Sequence, residues 1–140
     1  MLQLNKILVA YDGSESAAKA FDFALSMAKS FGGSILVLSV AQLPEPATMV
    51  ETPAMLEAAN EHFEDDFKRF RMEAAEAKVP IETNVVVGHP GEQIVHAADQ
   101  EHADLIIMGH RGKSRIQRWL LGSVSKRVIT YAPCSVTIVR

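Results

Sequence analysis

Five short runs of β-branched and aliphatic residues alternate along this chain with segments whose apolar residues recur every three or four positions. The first run, "KILVAY", reads as a buried strand closed by Asp12-Gly13-Ser14. Ser14 or Ser16 can cap the helix that follows, in which Ala17, Ala20, Phe21, Ala24, Ala28 and Phe31 form one stripe. Gly32-Gly33 ends that helix, and "SILVLSV" is the second strand. The segment "AQLPEPATMVETP", residues 41–53, reads as an irregular surface connection. Beyond it a long helix carries Leu56, Ala59, Phe63, Phe67, Phe70, Ala74 and Ala77 at helical spacing, and Pro80 bars its continuation. "IETNVVV" is the third strand, followed by "GHPGE" and a short helix around Ile94 to Ala98. "ADLIIMG" is the fourth strand, a helix runs from about Ser123 to Tyr131, and "SVTIV" after Pro133 is the fifth.

Strands alternating with helices predict an α/β fold: a doubly wound, five-stranded parallel sheet with helices on both faces. Right-handed crossovers leave the order 3-2-1-4-5 as the simplest solution. In such a sheet a ligand sits at the switch point, outside the carboxyl ends of strands 1 and 4. Two loops converge there, Asp12-Gly13 and the segment from Gly109 onward.

The second of these loops holds Gly112-Lys113-Ser114, the tail of a Walker A loop, but that motif needs a further glycine where Ile107 stands. A dinucleotide G-x-G-x-x-G is also missing after strand 1, where the chain reads "AYDGSES". What is present is G-x2-G-x9-G-S, made by Gly109, Gly112, Gly122 and Ser123. Gly109 would let a ligand approach the backbone, and Gly112 would permit an anion-binding turn. Gly122-Ser123 opens a helix whose free N–H groups attract phosphate, with the Ser123 and Ser125 hydroxyls as further donors. Charge points the same way. All 17 acids lie in residues 1–104 with seven of the 14 bases, so the last quarter of the chain is purely cationic.

These motifs resemble the nucleotide signature of the universal stress protein family, in its ATP-binding branch. The likeness extends over "KILVAYDGSESAAKAFDFALSMA", "HADLIIMGHRG" and "LLGSVSKRVITYAPCSVTIVR". The resemblance implies that Asp12, with Ala10 and Tyr11 before it, contacts adenosine. It implies that Val40 meets adenine through its backbone and that Met108 lines the base or ribose pocket. Gly109, His110, Arg111 and Gly112 would begin the phosphate loop, and Gly122, Ser123, Val124 and Ser125 would complete it. ATP is the implied ligand, with Mg or Mn on its phosphates. The implied role is a nucleotide-dependent regulator of the stress response.

Asp12, at a strand end beside glycine, reads as an acceptor for sugar hydroxyls rather than as a general base. Arg111 and Lys113 can neutralise phosphates, whereas Arg115, Arg118, Lys126 and Arg127 read as solvated or partner-facing. Trp119 reads as packed. The five histidines lack a metal-ligand spacing, and Cys134 reads as a small buried hydrophobe. One cysteine, no apolar run near a membrane span's roughly 20 residues and no signal-peptide pattern together predict a single cytoplasmic domain, residues 1–140. An adenylating or slowly ATP-hydrolysing enzyme of the same fold is the alternative, and a nucleotide-free interaction module is the next. The lack of interleaved aromatics argues against nucleic acid. Val136 and Ile138 share a face of the last strand, an apolar sheet edge that predicts a two-fold homodimer, and the resemblance points the same way.

Overall fold

The computed structural model describes residues 1–42, 52–110 and 121–140. Its elements run in the order β1 (Lys6–Ala10), α1 (Glu15–Phe31), β2 (Ser34–Gln42), α2 (Thr52–Glu76), β3 (Ile81–Gly88), α3 (Pro90–Gln100), β4 (Leu105–Gly109), α4 (Ser123–Tyr131) and β5 (Ser135–Val139). The sheet order is β3-β2-β1-β4-β5, and every neighbouring pair is parallel. This is the doubly wound order that the alternating pattern requires.

The inner strands β1, β2 and β4 are largely apolar on both faces because helices cover both faces. Alternation sends Ile7, Val9, Ile35, Val37, Leu105 and Ile107 to one side, where they meet α1 and α2. Leu8, Leu36, Leu38, Ile106 and Met108 point the other way, against Ile94 and Ala98 of α3 and Val128 of α4. Ile7, Leu8 and Val9 of the central strand are fully buried. Burial of this kind contributes about 1.5–3 kcal/mol per large side chain. The aromatic stripe of α2 packs as a stack: Phe63 lies over Phe67, and Phe70 lies on Phe21 of α1 with ring centroids 4.0 Å apart.

Local signals set the helix ends. The Ser14 hydroxyl accepts from the Ala17 N–H and caps α1, and Gly32, with φ 69°, takes the left-handed turn that stops it. Three expectations need correction. The irregular connection is shorter than residues 41–53 at both ends: Ala41 and Gln42 extend β2 along β3, and Thr52 and Pro53 belong to the first turn of α2, where a proline forfeits no helical hydrogen bond. For the same reason α3 starts at Pro90, well before Ile94. Phe31 does not join the buried stripe; it closes α1 with 45% of its surface exposed. The rest of the 43–51 connection, with Arg111, Gly112, Lys113, Arg115, Arg118 and Trp119, lies outside the described residues.

Candidate functional site at the switch point

Between the carboxyl ends of β1 and β4 lies a crevice of about 410 Å³. That volume falls in the range of about 300–1,000 Å³ typical of small-molecule sites. Leu38, Val40, Ile94 and Met108 give it an apolar floor. Its polar rim is formed by Asp12 and Ser14 on one side and by Gly122 to Ser125 on the other. Ten of the thirteen residues expected at the site line it: Ala10, Tyr11, Asp12, Val40, Met108, Gly109, Gly122, Ser123, Val124 and Ser125.

The two lips are built differently. On the β1 side, the Asp12 carboxylate accepts from the Ser14 N–H at 2.9 Å, an Asx turn that leads into the capped start of α1. The Tyr11 side chain is engaged by α2. Its ring is buried between Phe63 and Phe70, and its hydroxyl donates to Asp66 of α2 at 2.7 Å. Burial, and then the Asp66 carboxylate, push that phenol well above its ordinary pKa.

On the β4 side, the Gly122 N–H donates to the His110 carbonyl at 2.8 Å, and the Ser125 hydroxyl donates to the Gly109 carbonyl at 3.0 Å. The start of α4 is thereby fixed against the end of β4. Its first helical bond runs from the Lys126 N–H to the Gly122 carbonyl, and Gly122 offers no side-chain cap. The N–H groups of Ser123, Val124 and Ser125 therefore have no partner among the described residues.

Three helix starts flank the crevice, and they differ in charge. The start of α1 has the Ser14 hydroxyl on its Ala17 N–H and carries Glu15. The start of α3 has Pro90, which has no N–H, and Glu92. The first turn of α4 is uncapped and free of acid. The first turn of α4 thus offers an anion oriented N–H donors and the positive end of the helix dipole with no carboxylate beside them, whereas Glu15 and Glu92 stand in the first turns of α1 and α3.

Two expected roles change in kind. Gly109 does not keep space open for a ligand: a β-carbon on it would run into the Ser16 hydroxyl and lie 3.0 Å from the Ala17 nitrogen, so α1 packs where a side chain would stand. The Ser125 hydroxyl, buried with its proton on Gly109, is a tie within the fold rather than an extra donor to a ligand. His110 is not part of the lining. It is buried one residue past the end of β4, its Nδ1 has no partner among the described residues, and its main-chain N–H donates to the Val139 carbonyl. The sequence reading missed Ser14, Ala17, Leu38, Gln42, Pro90 and Ile94 of the lining. The period-two pattern of β2 could have placed Leu38, which shares a face with Val40.

The family model for universal stress proteins matches residues 3–140. The chain belongs to the universal stress protein family. A universal stress protein of Thermus aquaticus is 40% identical over 96% of this chain and 97% of its own. Among solved structures, the universal stress protein UspA of Lactobacillus plantarum superposes with a TM-score of 0.90 at 27% identity, covering all of both chains. A universal stress protein determined in complex with cAMP is 30% identical, with a TM-score of 0.67 over 99% of this chain and 98% of that one.

Proposed function

We propose that the crevice binds an adenine nucleotide, ATP carrying Mg or Mn on its phosphates, and that this universal stress protein acts as a nucleotide-dependent regulator. One observation carries the reading: the uncapped, acid-free start of α4 opens onto an apolar-floored cavity at the switch point. Phosphates would be held by the N–H groups of Ser123, Val124 and Ser125, the base would lie on Val40 and Met108, and Asp12 would face the sugar. The likeness to a relative crystallised with cAMP supports an adenine ligand. The metal ion would depend on the nucleotide. Among the described residues there is no group of three His, Cys, Asp or Glu side chains able to hold it, and Mg commonly takes phosphate oxygens and water.

A binding role is favoured over fast turnover. Among the described residues the crevice lining offers one carboxylate, Asp12, and no histidine or lysine to act as its partner in proton transfer. Mass spectrometry of nucleotide released from the purified protein, together with calorimetric titration with ATP and magnesium, tests the proposal. An adenine nucleotide carried or bound at one site per chain supports it. No adenine nucleotide in either experiment overturns it.

A further inference from the structure

Three polar side chains are buried among the described residues, and two of them are serines tied to a lip of the crevice. Ser125 holds the Gly109 carbonyl at the end of β4. Ser39, fully buried on β2, does the same for the other lip: its hydroxyl donates to the Tyr11 carbonyl at 2.6 Å, one residue past β1. The Tyr11 N–H in turn donates to the Leu38 carbonyl at 2.9 Å. Both main-chain polar groups of Tyr11 are thus held by β2.

The peptide joining Tyr11 to Asp12 is planar, so a donor fixed on its carbonyl sets the direction in which Asp12 leaves the strand. Oδ1 of Asp12 is committed to the Ser14 N–H, and Oδ2 has no partner among the described residues. An ionised carboxylate only accepts hydrogen bonds, so it suits sugar hydroxyls and would repel phosphate.

We propose that Ser39, which is not itself in the crevice lining, is a positioning residue: by holding the Tyr11 carbonyl it aims Asp12 at the sugar and makes the crevice select ribonucleotides over deoxyribonucleotides. This rests on the nucleotide reading above. Calorimetric titration of the native protein and of Asp12→Ala, Ser39→Ala and Ser39→Thr with ATP, 2′-deoxy-ATP and 3′-deoxy-ATP tests it, with a melting curve for each variant. The native protein is expected to prefer ATP over at least one deoxy analogue by about tenfold or more, the equivalent of one hydrogen bond to a charged group. Asp12→Ala abolishes that preference. Ser39→Ala reduces it to about threefold or less, while Ser39→Thr, which keeps the hydroxyl, retains it.

Equal weakening of ATP and both analogues by Ser39→Ala overturns the proposal, since a merely structural role would do that. Native binding without any sugar preference overturns it as well. Failure of the native protein to bind ATP at all overturns the nucleotide reading and this inference with it. Should Ser39→Ala not fold, Ser39→Cys, whose thiol is a weak donor, gives the same comparison.

Discussion

Tyr11 is held from three directions, and each leaves a measurable trace. Its main chain is fixed by β2, its ring by Phe63 and Phe70, and its hydroxyl by Asp66. Tyr11→Phe keeps the ring and removes the last of these. Because Asp66 is partly exposed, the loss is expected to be about 1 kcal/mol at neutral pH, measured by urea denaturation. The phenol's pKa is raised in the folded state by burial and by Asp66, so its contribution is fully present below the ordinary phenol value of about 10. It is lost as pH climbs above that value, because the unfolded tyrosine ionises first. The stability gap between the native protein and Tyr11→Phe should therefore narrow above about pH 10. A gap that stays constant to the alkaline limit contradicts this. None of this was legible in the sequence, where Tyr11 is one more apolar residue at the end of a strand. Its partner stands 55 positions away, on a helix whose polar face gives no sign of reaching inward.

At the scale of elements, the start of α4 matters most. Gly122 has φ −64° and ψ 156°, a backbone that any residue adopts and that suits an N-cap aspartate. Gly122→Asp should change folding stability by no more than about 0.5 kcal/mol, because a capping carboxylate and the helix dipole offset the loss of glycine. The same carboxylate occupies the anion site, so nucleotide binding should disappear. Unchanged ATP affinity in the folded variant would count against the phosphate assignment. The elements themselves were largely readable from sequence. Hydrophobic period, proline breaks and the Ser14 cap gave all five strands, four helices and the sheet order. The helix starts at Thr52 and Pro90 were not, because proline marks both a break and a favoured first turn. The glycine spacing found the α4 side of the crevice. It misjudged Gly109, since the closeness of Ser16 depends on how α1 crosses β4, which spacing does not encode.

At the scale of the whole molecule, β5 is a sheet edge, and a second copy of this chain is the partner proposed to cover it. Val136 and Ile138 turn their side chains onto the chain's own core, beside Leu8, Ile106 and Val128. In the proposed dimer they would act through main-chain pairing rather than side-chain burial. The Val139 carbonyl accepts from the His110 N–H, so alternation turns the N–H and C=O groups of Val136 and Ile138 outward. Val136→Pro removes an outward donor and leaves the β4 ladder intact. Sedimentation equilibrium should find the native protein dimeric at micromolar concentration and Val136→Pro monomeric with its fold retained. A native monomer defeats the dimer, and a dimeric variant defeats this edge as its seat. The central claim lies at the crevice, and a crystal structure grown with excess ATP and magnesium tests it most directly. Phosphate oxygens are expected on the N–H groups of Ser123, Val124 and Ser125, with the base over Val40 and Met108. Nucleotide bound elsewhere, with those three N–H groups left to water, contradicts it.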